Sequence, residues 1–164
     1  MMAYVRTILM SVVMLGLAAC GTLQGVQQSP AADFPFRHNA FDLKVAWKTS
    51  RFDKGLAIDG ILKNVRYQQI NDVEVTVSVI DKDNRVLGSD RTLVLPYPIN
   101  MGDYVPFDLT VRNVVPERGD EFQFLIKYRA YDGGPGTFTW LSRFRTDALT
   151  GAAIVDKAET SGRW

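Results

Sequence analysis

Between residues 41 and 144 apolar and polar positions alternate with a period of two, the mark of strands that bury one face. Phe41, Leu43, Val45 and Trp47 share one side of the first run, and Leu56, Ile58, Gly60 and Leu62 share one side of the second. Val73, Val75, Val77 and Val79, set against Glu74, Thr76 and Ser78, form the clearest strand. The turn Asp81-Lys82-Asp83-Asn84 leads to a return over 85–92, and alternation resumes at Phe107, Leu109 and Val111. Phe122, Phe124, Ile126 and Tyr128 follow, and a last strand places Phe138, Trp140, Ser142 and Phe144 on one side. Turn formers gather between these runs at 96–103, 116–120 and 133–136, and no stretch has the period of a long amphipathic helix. About seven strands predict an all-β domain, a single antiparallel two-sheet β-sandwich, with a small barrel as the competing architecture. The residues after Thr146 have no clean period and read as a frayed or short helical tail.

The first twenty residues follow a different rule. Arg6 is the only charge before an uncharged apolar run from Thr7 to Ala19. Such a run is short for a permanent crossing, which takes roughly 20 apolar residues, and it ends in small residues. Export with cleavage is the expectation. The run closes on Leu17-Ala18-Ala19-Cys20-Gly21, which resembles the lipobox of bacterial lipoproteins. That resemblance implies a diacylglyceryl group on Cys20, cleavage before it, and two or three acyl chains holding the protein to a membrane. Each buried methylene contributes about 0.8 kcal/mol, so several chains anchor stably where one binds only marginally. Gly21 stands where an aspartate would resemble an inner-membrane retention signal, which implies the outer membrane, facing the periplasm. The organisation expected is a signal peptide over 1–19, a lipidated tether over 20–36, a sandwich over 37–146 and a tail over 147–164. The uncharged stretch from Gly21 to Ala32 reads as a coil with a span of roughly 20 Å, which keeps the domain close to its membrane.

Composition narrows the function classes. Removing Arg6 with the signal leaves 18 basic against 18 acidic residues, a formally neutral chain. No clustered basic surface points to nucleic acid. At 46% hydrophobic and 23% charged, the chain can build a core. Cys20 is the only cysteine, so no disulfide supports the domain.

Three stretches carry a further resemblance. Gly60-Ile61-Leu62-Lys63-Asn64 is similar to a Gly-x-Val-x-Asn strand. Val73 to Asp81 followed by Asn84-Arg85-Val86-Leu87-Gly88 is similar to a strand, Asp, short turn and Gly-x-Val-Leu-Gly return. Gly102 leading to Phe107 is similar to a Pro-Gly-x-x-x-x-Phe entry, although Pro98 stands four residues before Gly102. Together, over roughly residues 55 to 131, they resemble the FxLYD-type sandwich repeat of bacterial envelope proteins, with Ile80-Asp81 in place of the family's Tyr-Asp. The resemblance implies an immunoglobulin-like β-sandwich and an accessory binding or spacing role.

Catalytic and metal-binding patterns are sparse. Asp81-Lys82-Asp83-Asn84 has the closely spaced oxygens of a calcium loop, but Val86 and Thr92 occupy positions where such a loop needs Gly and a bidentate acid; a hairpin turn is expected. His38 is the only histidine, which excludes a multi-histidine metal site, and its place beside Arg37 and Asn39 suggests a solvated residue. The serines have no Gly-x-Ser-x-Gly context, and no cofactor motif is present. An enzyme is therefore not expected. Tyr97 and Tyr104 flank one loop and Tyr131 another, so these three could form a platform for a glycan or small ligand, while Phe138 and Trp140 have core spacing. The expected function is a non-enzymatic, membrane-anchored module that binds another envelope component, a protein first, with the tyrosine platform as the alternative.

Overall fold

The computed structural model describes residues 29–131 and 136–154. Cys20, the signal segment, most of the tether, the centre of the glycine loop and the end of the tail lie outside the described residues. In chain order the strands are β1 (Phe36–Asn39), β2 (Leu43–Phe52), β3 (Gly55–Asn64), β4 (Ile70–Ile80), β5 (Val86–Leu93), β6 (Tyr104–Arg112), β7 (Glu121–Tyr131), β8 (Thr137–Asp147) and β9 (Ala153–Ile154). They form two antiparallel sheets, one of four strands ordered β1-β2-β3-β6 and one of five ordered β5-β4-β7-β8-β9. The fold is an all-β, antiparallel two-sheet sandwich. Strands β2 to β8 correspond to the seven that the alternation predicts. β1 and β9 are short edge additions of four and two residues, below the length at which a period can be read.

The predicted inward faces meet between the sheets. Val75, Val77, Val79, Ile58 and Trp47 are fully buried. The Trp47 ring lies 4.8 Å from Phe124 and 6.0 Å from Phe144, and Phe124 and Phe144 stack at 4.7 Å. Fully burying one such side chain contributes about 1.5–3 kcal/mol. Gly60 belongs to this packing: its register partner is Phe107, and an added Cβ would collide with the Phe107 ring.

Several expectations are corrected. Phe41 is 95% exposed, because β2 begins at Leu43 and the inward alternation does not extend into the turn before it. Phe138 is also exposed. It lies near the start of β8, which pairs with β9 only at Arg145 and Thr146, and only Trp140 and Phe144 further along pack on the core. Over residues 147–154, the described part of the segment after Thr146, the chain is not helical. Asp147 ends β8, its Oδ1 accepting from the amides of Leu149 and Thr150, and the chain turns back to form β9. Asp81-Lys82-Asp83-Asn84 is the hairpin turn expected: Asp81 accepts from the amides of Asp83 and Arg85 at 2.8 and 2.9 Å and from the Arg85 guanidinium.

β1 takes in Phe36, and the described residues before it, 29–35, contact the first sheet. Arg37 donates to the carbonyl of Ala31 at 3.0 Å, and Ser29 Oγ lies 3.4 Å from the Tyr104 hydroxyl. Ala46 and Ile61 point outward from this sheet yet are buried beneath that segment.

Candidate functional site

Register places four connections at one end of the sandwich: the β1–β2 turn, the β3–β4 loop, the β5–β6 loop and the β7–β8 hairpin. Each carries a large apolar side chain in solvent. Phe41, Tyr67, Leu95, Tyr97, Tyr131 and Phe138 are all more than half exposed. At the opposite end Phe52, Val115 and Leu149 are each less than half exposed, and among the described residues Val86 is the one large apolar side chain there that exceeds half. Val86, Leu93 and Leu141 are also more than half exposed, but six such side chains gather at this one end as an apolar crown, and exposed apolar groups collected in one place are a common mark of interaction surfaces.

The loops that bear the crown are fixed from below. Asn64, fully buried at the end of β3, donates to the carbonyls of Gln68 and Ile99, both at 2.9 Å, and accepts from the Arg66 amide at 2.8 Å. One side chain thus ties the loop bearing Tyr67 to the loop bearing Tyr97. The β5–β6 loop is also held on both sides of Tyr97: the amide of Val94 donates to Val73, and Ile99 exchanges hydrogen bonds with Ile70. Leu95-Pro96 and Tyr97-Pro98 are cis peptide bonds within it.

An ion pair lies beneath the crown. Asp42 accepts from Arg66 Nη1 at 3.0 Å and from the Tyr128 hydroxyl, and both charged side chains are about nine-tenths buried. The Arg66 guanidinium lies 4.4 Å from the centre of the Trp140 ring. Burial, and then the neighbouring Asp42 carboxylate, push the Tyr128 hydroxyl far above the usual tyrosine range. Tyr128 therefore serves as a permanent donor. Sequence alternation identifies Tyr128 as core but does not reveal the pairing of Asp42 with Arg66, because that contact bridges two loops.

The three candidate tyrosines lie at this end of the sandwich. Tyr97, in the β5–β6 loop, and Tyr131, the last residue of β7, are each about half exposed. Tyr104 begins β6, accepts from Lys63 Nζ at 3.1 Å and lines a pocket with Arg37, Lys44 and Lys63, apart from the other two. His38 is partly buried rather than fully solvated as its position suggests. It stacks 3.8 Å from the Phe144 ring, and burial lowers its pKa. Among the described residues His38 makes no hydrogen bond to an acid or a hydroxyl, and no group of three His, Cys, Asp or Glu residues is arranged to hold a metal ion.

No family model matches the chain, and no curated protein matches it. Among solved structures, the chain is similar to the GAE domain of GGA2p from Saccharomyces cerevisiae, with a TM-score of 0.42 and 15% identity, covering 67% of this chain and 96% of that one. It is also similar to part of a β-glucuronidase of glycoside hydrolase family 2, with a TM-score of 0.36 and 10% identity, covering 61% of this chain and 11% of the enzyme. At this distance the likeness concerns the sandwich fold alone.

Proposed function

We propose that this chain is a bacterial lipoprotein, processed before Cys20 and anchored by lipid on that cysteine in the outer membrane, whose sandwich binds another envelope protein through the crowned end. The observation that carries the reading is the gathering of Phe41, Tyr67, Leu95, Tyr97, Tyr131 and Phe138 at one end, where the Asn64 side chain ties two of the loops together. Preformed loops lose little freedom on binding, and flat rings supply contact area at small entropic cost. The lipobox-like Leu17-Ala18-Ala19-Cys20 supplies the address, and the resemblance to the FxLYD-type repeat supports an accessory module without catalysis or cofactor. Ser29, the first described residue after Cys20, sits beside Tyr104 at the same end, which favours a partner that is in or next to the membrane.

A second reading, a glycan-binding module, draws on Tyr97 and Tyr131, whose exposed rings could stack on sugar faces. The two readings separate in one experiment. The full chain is produced in a bacterial host, its mass read for acylation, and crosslinking in the envelope compared with Cys20→Ser. Acylated wild type that captures a defined envelope protein, lost in Cys20→Ser, bears out the protein-binding reading. Acylated wild type that captures no protein but is retained on a glycan column through Tyr97 and Tyr131 replaces it with the second.

A further inference from the structure

Arg37, Lys44 and Lys63 line a pocket of about 310 Å³ on the outer face of the first sheet, beside the segment that leads back to Cys20. Strand register brings them there. Asn39, Lys44, Lys63 and Tyr104 form one outward row across β1, β2, β3 and β6, and Arg37 stands in the adjacent outward row opposite Ala46. Lys44 and Lys63 are direct register partners, an arrangement of like charges that lowers the stability of an antiparallel pair.

Among the described residues Arg66, Arg85, Arg129 and Arg145 pair with carboxylates. No carboxylate lines the pocket, and none of the three cations makes an ion pair among the described residues. Arg37 is held by the carbonyls of Ala31 and Phe34, and Lys63 by the Tyr104 hydroxyl, with its ammonium 4.5 Å from the centre of the ring. Hydrogen bonds from Ser29 and then Lys63 keep the Tyr104 hydroxyl below the usual tyrosine range. Two cations are thus oriented by neutral groups, and Lys44 stands opposite them with its ammonium unpaired.

We infer that this pocket binds a phosphate-bearing anion, with Lys44 and Lys63 supplying the charge and Asn39 and Tyr104 flanking as neutral hydrogen-bonding groups. A bound phosphate turns the Lys44–Lys63 repulsion into two charge-assisted contacts. The phosphate could belong to a lipid headgroup or to a soluble molecule. The choice of source rests on the lipoprotein reading: Ser29 is the ninth residue after Cys20, and a chain of that length reaches at most about 30 Å, so headgroups would be the nearest phosphates.

The test uses the full chain in a non-ionic detergent, with its thermal midpoint followed against inorganic phosphate and against monomeric dihexanoyl-phosphatidylglycerol at constant ionic strength. A ligand of the folded state raises the midpoint. Wild type is expected to respond, Lys44→Gln to bind about ten-fold more weakly, and Lys82→Gln, in the β4–β5 turn, to respond as wild type. A shift with the lipid, alone or with phosphate, assigns the pocket to headgroups; a shift with phosphate alone assigns it to a soluble phosphate. No shift with either probe, or equal losses in Lys44→Gln and Lys82→Gln, overturns the inference. Broadening of the phosphorus NMR line of each probe provides the same comparison without unfolding, and the mass of the purified chain reports the anchor separately.

Discussion

Single side chains hold the crowned end together, and their removal should be costly. Asn64 satisfies two carbonyls and one amide at a fully buried site. Asn64→Ala is expected to lower the free energy of unfolding by about 1–3 kcal/mol, measured by chemical denaturation, because it strands those backbone groups without water. Asp42→Ala removes one carboxylate partner of the buried Arg66 and the acceptor of the Tyr128 hydroxyl, and should cost about 1–3 kcal/mol in the same measurement. His38 gives a pH dependence. Burial keeps its folded value below the unfolded one, so the stabilising contribution is fully present above about pH 6.5 and is lost as pH falls through the folded value. Denaturation midpoints should therefore fall between about pH 7 and pH 5 in wild type and fall less in His38→Gln. The asparagine could be singled out from sequence because a strand ending in Asn before a polar break signals a turn. The burial of His38 could not: it depends on β1, a four-residue strand, laying that ring on Phe144.

At the scale of elements, period-two alternation locates the long strands because each has one face on the core, and β4 reads clearly for that reason. It fails where a second layer or an edge changes the rule. Ile61 breaks the outward polar pattern of β3 because the segment before β1 covers it, and Phe138 keeps the inward spacing yet stays in solvent near the open end of β8. The crown was legible only in part: Tyr97 and Tyr131 could be marked as loop tyrosines, but which loops share an end follows from strand pairing. Gly60 shows how sequence choice and pairing fit together. Its missing Cβ makes room for the Phe107 ring on the neighbouring strand, so Gly60→Val should destabilise the sandwich by about 1–3 kcal/mol, again by denaturation. Gly102→Ala, at a φ of +88° with open space around it, tests backbone strain alone and should cost less, about 1 kcal/mol.

For the whole molecule, two polar features and one apolar one converge on the same end: the Asp42–Arg66 pair beneath the loops, the basic pocket on the flank, and the exposed rings on top. Under the lipid anchor proposed at Cys20, this arrangement would hold the domain with its crowned end toward the membrane. Replacing Tyr97 and Tyr131 together by Ser should leave the denaturation midpoint nearly unchanged, since both side chains are more than half exposed, while abolishing partner capture. The most direct test of the crowned end as the binding end is site-specific photocrosslinking of the full chain in a bacterial envelope, with the photoreactive residue placed at Tyr97 or at Asp83 in the opposite-end turn. The account predicts one defined envelope protein crosslinked from Tyr97 and absent from Asp83. The same protein captured equally from both positions, or from Asp83 alone, would contradict it.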